Sequence, residues 1–222
     1  MQCLFLDLAS HNGIIACVTE AGVEISEEIH TKVQDHELIP MVENLLSRTE
    51  GEWKYTDLTH VACVIGPGGF TSLRVAVTFA NVMADELKIP VVGIHLSDLY
   101  FERACHSEPC RTMSGKTLSS FDRAQDDNLL WLHSTKRDSL FVCGGKWKEP
   151  TFVGIKECLS QLKASSSKLR WMGELIPEHR ELIAATSMQM TELSPVVDVL
   201  PAFLQGVKFK KKPLKPWYGR GW

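Results

Sequence analysis

Along the first hundred residues, short apolar runs alternate with segments whose apolar positions recur every three or four residues. Cys3 to Leu8 is a solid apolar run interrupted only by Asp7. Gly13 to Thr19 and Val23 to His30 flank the turn signal Glu20-Ala21-Gly22, which predicts a hairpin beside the first strand. The period then lengthens, and a helix is expected from about Glu37 to Arg48, capped by Asp35 or His36, with Pro40 near its first turn and Gly51 beyond its end. Val61 to Ile65 reads as a buried strand that runs through Gly66-Pro67-Gly68-Gly69 into a second helix, about Thr71 to Leu87. Another strand follows at Pro90 to Ile94.

This order, three antiparallel strands followed by helix, strand, helix and strand, is the α/β pattern of the ribonuclease-H-like fold in the actin and Hsp70 superfamily. After residue 102 the character changes, and 103–127 reads as a polar linker or loop. From 128 to 207 a second lobe repeats the pattern in degenerate form: a hairpin of Leu129–His133 and Leu140–Cys143, helices near Ile155–Lys163 and Glu178–Ala185, and a strand at Leu169–Met172. The tail, 208–222, carries Lys208, Lys210, Lys211, Lys212, Lys215 and Arg220 without an acid, interleaved with Phe209, Trp217, Tyr218 and Trp222. Such a stretch is either a solvated terminus or a segment that meets nucleic acid.

The helices carry more apolar surface than one sheet needs. At 100° per residue, Arg74, Thr78, Asn81 and Asp85 form a narrow polar strip on the second helix. Leu73, Val75, Ala76, Val77, Phe79, Ala80, Val82, Met83, Ala84 and Leu87 fill the rest, with Ala76, Ala80 and Ala84 as a small-residue row. The first helix is similar, with Leu38, Ile39, Met41, Val42, Leu45 and Leu46. Either the second half of the chain covers this excess, or a partner does.

Composition adds bounds. A 222-residue chain with 44% apolar residues and a net charge of −3 can bury a sizeable core and has no global bias toward polyanions. No run of eighteen apolar residues suggests a membrane span, and the opening Met1-Gln2-Cys3-Leu4-Phe5-Leu6-Asp7 lacks the basic start of a signal peptide, so a cytoplasmic protein is expected. The seven cysteines show no CxxC spacing and mostly lie in strand-like runs, which suits buried free thiols. Cys105 and Cys110, in the polar segment, have the option of pairing or holding a metal.

Few constellations suggest chemistry. Gly66-Pro67-Gly68-Gly69 at a strand-to-helix junction suits an anion or simply a tight turn, and no lysine follows as a Walker A loop requires. Asp7 ends the first strand before the small, polar Ala9-Ser10-His11-Asn12-Gly13, where ATPases of this superfamily place an acid for Mg²⁺. The matching end in the second half, Leu132-His133-Ser134-Thr135, has no carboxylate. The eight histidines form neither HxxxH nor HExxH, and GxSxG is absent.

Phe5-Leu6-Asp7-Leu8-Ala9-Ser10, His36-Glu37-Leu38-Ile39-Pro40-Met41-Val42 and above all Ile65-Gly66-Pro67-Gly68-Gly69-Phe70-Thr71-Ser72-Leu73-Arg74-Val75 resemble the TsaB/YeaZ family, whose typical string is GPGSFTGLR. The likeness is strong over residues 1 to about 100 and weaker later, where Lys136-Arg137-Asp138 and Pro201-Ala202-Phe203-Leu204-Gln205 are similar to family turns and a late PVYLR. Gly69 and Ser72 depart from the usual Ser and Gly, and Ser134 stands where Asp is frequent. The resemblance implies an actin-like (ASKHA) fold of two ribonuclease-H-like lobes, the second degenerate. It also implies a scaffold without catalysis or cofactor, paired with a TsaD-like paralogue and assembled with a TsaE-like ATPase. The complex threonylcarbamoylates the adenosine beside the anticodon of ANN-decoding tRNAs, and the scaffold forms a homodimer when alone. Carried over residue by residue, the partner surface is His36, Leu38, Ile39, Met41, Val42, Leu45, Leu46, Thr71, Leu73, Arg74, Val77, Ala80, Asn81 and Ala84. Asp7, Ser10, Gly66, Gly68 and Gly69 form a vestigial nucleotide loop. The paralogue's HxxxH metal pair has one counterpart here, His36. Contact with tRNA is indirect or through the basic tail. Two other classes stay open: an active ASKHA-type ATPase or kinase, which needs an adenosine-phosphate loop in the second half, and a glycopeptidase-like protease, which needs a nucleophile with a base.

Overall fold

The computed structural model describes residues 1–30, 33–107, 128–163 and 169–219. They group into two units, Met1–Leu96 with Pro195–Tyr218 and Ser97–Ser194 with Gly219–Trp222.

The first unit is built on β1 (Gln2–Asp7), β2 (Gly13–Thr19), β3 (Val23–Ile29), β4 (His60–Gly66) and β5 (Val91–His95), in the order β3-β2-β1-β4-β5. β1, β2 and β3 are antiparallel, and β1, β4 and β5 are parallel, which is the ribonuclease-H-like arrangement. β1 from Cys3 to Leu6 and β4 from Val61 to Ile65 are apolar without a break because strands in the middle of a covered sheet lose solvent on both faces. The helices α1 (Asp35–Ser47) and α2 (Phe70–Glu86) share one core with Leu4, Leu6, Ile15, Cys17, Val61 and Cys63. Ala76 and Ala80, both fully buried, bring α2 close to β4. Neither Asp35 nor His36 caps α1: the N-cap is Gln34, whose N–H donates to the Glu37 carboxylate at 2.7 Å. Pro40 falls in the second turn, not the first, and the helix runs on to Ser47 without that one donor.

The second unit has α3 (Leu96–Ser107), β6 (Leu129–Lys136), β7 (Ser139–Gly144), β8 (Trp147–Gly154), α4 (Ile155–Lys163), β9 (Arg170–Glu174), α5 (Pro177–Ala184) and β10 (Gln189–Met190). Its sheet order, β10-β9-β6-β7-β8, with β6–β8 antiparallel and β6, β9 and β10 parallel, repeats the first sheet strand for strand. The duplication is complete in strand number, with β10 cut to two residues. β8 is an edge strand containing Pro150 with several exposed positions, and neither alternation nor composition predicts it.

Two segments move from where the sequence reading put them. The expected linker at 103–127 begins as helix: α3 continues to Ser107, while 108–127 lie outside the described residues. α3 groups with the second unit from Ser97 because Tyr100 packs 6.3 Å from the Trp131 ring and Arg103 binds the Ser194 carbonyl at 2.9 Å. Conversely, α6 (Val196–Gly206) groups with the first unit, burying Val199, Leu200, Phe203 and Leu204 and meeting β2 and β3. Residues 208–218 follow it there as a strap, not as a solvated tail.

Candidate functional site

An apolar groove of about 570 Å³ runs between α1 and α2 of the first unit. Ile39 (48% exposed), Phe70 (54%) and Val82 (53%) line it, and they are three of the five exposed large apolar side chains among the described residues. Val75 and Phe79 complete its floor, and the Arg74 guanidinium sits 5.3 Å over the Phe70 ring. These side chains concentrate exposed apolar surface on one face of the first unit.

The groove divides the expected partner residues. His36, Ile39, Thr71 and Arg74 are exposed, and Met41, Asn81 and Ala84 are half-buried. Leu38, Val42, Leu45, Leu46, Leu73, Val77 and Ala80 are at most 3% exposed and belong to the unit's own core. The wide apolar arcs arise because α1 and α2 fill one cluster together above the sheet, and a helical wheel cannot separate a neighbour in the same chain from a partner. Phe70, Val75, Phe79 and Val82 replace them at the surface. Phe70 precedes the predicted helix, so no wheel included it.

The two loops of the expected nucleotide site do come together. Asp7, only 3% exposed, accepts the N–H groups of Ala9 (2.9 Å) and Ser10 (3.1 Å) on Oδ1, and Ser10 Oγ donates to Oδ2. Both carboxylate oxygens thus fold their own loop. A Cβ on Gly68 would lie 2.8 Å from Ala9 Cα and the Ala9 carbonyl, so glycine is what lets the loops touch. At Gly66 (φ +132°) a Cβ would stand 2.2 Å from the Trp217 carbonyl oxygen, and the Trp217 N–H donates to the Ile65 carbonyl at 2.7 Å. The strap passes directly behind the glycine loop, with the Trp217 ring edge-on to His95 at 5.1 Å and Tyr218 against Phe70 at 5.0 Å. Gly69 is the exposed N-cap of α2.

In the second unit Ser134 has a buried partner that spacing did not reveal. Its Oγ lies 2.7 Å from His179 Nδ1, and His179 Nε2 lies 2.6 Å from the Arg137 carbonyl. Because the carbonyl only accepts, Nε2 carries the proton and Nδ1 accepts from Ser134. Both side chains are at most 1% exposed, so the pair ties β6 to α5 and presents no nucleophile to a substrate. The thiols are equally withdrawn. Cys3, Cys17, Cys63, Cys143 and Cys158 are buried free cysteines, and burial pushes Cys158 up to about 11 and Cys143 up to about 12. Cys105 is partly exposed, and Cys110 lies outside the described residues.

Known proteins place this architecture. The family model described as TsaD, tRNA N6-adenosine threonylcarbamoyltransferase, matches residues 25–118. The tRNA threonylcarbamoyladenosine biosynthesis protein TsaB of Buchnera aphidicola subsp. Acyrthosiphon pisum is 26% identical over 85% of this chain and 81% of its own length. Its counterpart in Escherichia coli K12 is 28% identical over 42% of this chain and 40% of its own. Among solved structures, a Pseudomonas aeruginosa protein with similarity to peptidase YEAZ covers 99% of both chains with a TM-score of 0.63 at 16% identity. YeaZ from the same organism covers 92% of both with a TM-score of 0.58 at 17% identity. At 16% and 17% identity the two structures show a shared fold alone, while the relatives and the family model make the chain similar to proteins of tRNA threonylcarbamoyladenosine biosynthesis of the TsaB/YeaZ kind.

Proposed function

We propose that this chain takes part in tRNA threonylcarbamoyladenosine biosynthesis as a non-catalytic scaffold that pairs with a TsaD-like protein. The observation that carries this reading is the exposed apolar groove of Ile39, Phe70, Val75, Phe79 and Val82 between α1 and α2, which suits helix-to-helix docking. The names of the TsaB relatives supply the pathway. A homodimer through the same groove is the expected state when the partner is absent, and a TsaE-like ATPase is the expected third member.

The engagement of Asp7 supports a role without turnover. Its oxygens already hold Ala9 and Ser10, so binding a metal there costs the loop its organising bonds. The glycine loop next to it is packed against Ala9 and Trp217. The test is co-purification: the tagged chain, expressed in its own cell, brings down a TsaD-like protein, and Phe70→Glu with Val82→Glu abolishes the capture. Failure of the unaltered chain to capture any TsaD-like protein overturns the pairing.

A further inference from the structure

We propose that residues 208–215 form a sequence-independent RNA contact, in which lysines held along the edge of the first unit neutralise backbone phosphates. This rests on the reading that the chain serves a tRNA-modifying assembly. Lys210 exchanges both backbone hydrogen bonds with Val91 of the edge strand β5, at 3.0 and 2.9 Å. Leu214 is held by the Asn81 side chain at 2.7 and 3.0 Å. Between and beside these anchors, Phe209 meets the His60 ring edge-on at 4.7 Å, while Lys208, Lys210, Lys211, Lys212 and Lys215 are exposed. The Val91–Lys210 pairing is a single bridge at the sheet edge, and it holds the segment with Phe209 and Leu214 half-buried and the lysines in solvent. Lys211 and Lys212 join Lys88 around a hollow of about 190 Å³, in which the acid is Asp85, paired to Lys88 at 3.3 Å.

The segment from Lys208 to Gly219 contains no acid, although the whole chain carries a net charge of −3. The positive charge is therefore local, not a general bias. Lysines on an anchored backbone lose less freedom on binding than lysines on a free tail. The kind of contact follows from where the aromatics go. Phe209, Trp217 and Tyr218 pack on the body, so the strap offers no stacking platform for bases and reads phosphate alone. For the same reason its described aromatic side chains are turned to the body and not to a lipid layer, which favours RNA over a membrane surface.

The experiment is fluorescence anisotropy with the full chain, using a labelled tRNA transcript and an unrelated RNA of equal length across a salt series. The unaltered chain is expected to bind both, with a log–log salt slope of roughly −0.7 to −0.9 per phosphate contact. A quadruple variant, Lys208→Gln, Lys211→Gln, Lys212→Gln and Lys215→Gln, is expected to flatten that slope by about 3 and to weaken both RNAs by more than about tenfold at low salt. Its melting temperature stays that of the unaltered chain, because these side chains are exposed. The proposal is overturned if the unaltered chain binds neither RNA, if the variant keeps the slope, or if the variant loses only binding to phosphatidylserine vesicles. Capture of the TsaD-like protein is measured on the same variant: retained pairing with lost RNA binding supports the contact. Loss of pairing by the unaltered chain strikes the scaffold reading alone.

Discussion

Asn81 of α2 binds Leu214 twice: its Oδ1 accepts the Leu214 N–H at 2.7 Å, and its Nδ2 donates to the Leu214 carbonyl at 3.0 Å. One amide side chain thereby satisfies a backbone pair in a segment 133 residues away along the chain. Asn81 looks like part of a polar strip on a helical wheel, yet it is the clasp of the strap.

Asn81→Ala therefore leaves the Leu214 donor and acceptor without their partner and is expected to cost about 1 to 3 kcal/mol, read from urea denaturation. Truncation after Val207 removes this clasp, the Lys210 pairing with Val91 and the Trp217 contacts behind Gly66. It is expected to lower the melting temperature by at least several degrees, at about 2 to 4 °C per kcal/mol for a chain of this size. A truncated chain that melts with the full one would show the strap to be an inert extension.

The two faces of α2 separate folding from pairing. Val82→Glu places charge in the open groove and is expected to change stability by no more than about 0.5 kcal/mol, while Phe70→Glu also loses the Tyr218 ring contact and is expected to cost about 1 kcal/mol. Light scattering should then find the homodimer or heterodimer reduced to monomer. Val77→Glu and Ala80→Arg place an unpaired charge among core residues at most 3% exposed and are expected to cost about 4 kcal/mol or more, seen as lost circular dichroism. A dimer that survives both surface variants locates the interface elsewhere.

Asp7 separates a structural acid from a catalytic one. Asp7→Ala strips the Ala9 and Ser10 amides of their acceptor and is expected to destabilise the first unit by about 2 to 4 kcal/mol. The unaltered chain is expected to hydrolyse no ATP above background. Turnover that disappears in Asp7→Ala at a temperature where the variant stays folded would make the chain an enzyme.

The buried thiols set an alkaline limit. Burial, with Glu24 second, pushes Cys17 up to about 12; burial, with Asp98 second, pushes Cys143 up to about 12; and Cys158 reaches about 11, against an ordinary value of 9.0. Cys3 and Cys63 move in the same direction, chiefly by burial. Below pH 9 folded and unfolded chains both keep these protons, so no pH dependence comes from them. Above it the unfolded chain releases protons that the folded chain retains, and stability falls as pH rises toward the folded values. The urea midpoint is expected to drop between about pH 9 and pH 11, and Cys158→Ala should shallow that drop.

Legibility followed how local the physics is. The apolar runs of β1, β2 and β4, the Gly66–Gly69 junction and the helix Ile155–Lys163 depend on neighbours a few residues apart, and the sequence places them with small shifts at the ends. Topology of the first lobe followed from their order. β8 and α6 escaped because each contains a proline, Pro150 and Pro201, that reads as a breaker, while long-range packing pays its cost. The side of α1 and α2 left open could not be read either, since periodicity reports that a residue is buried and not what buries it. Val77 and Val82 are both apolar and lie on one helix, yet Val77 is 3% exposed and Val82 53%. The Ser134–His179 pair and the Asn81–Leu214 clasp join positions 45 and 133 residues apart. Such partners are chosen by chain geometry in three dimensions, because only the folded backbone brings a donor to an acceptor at that separation.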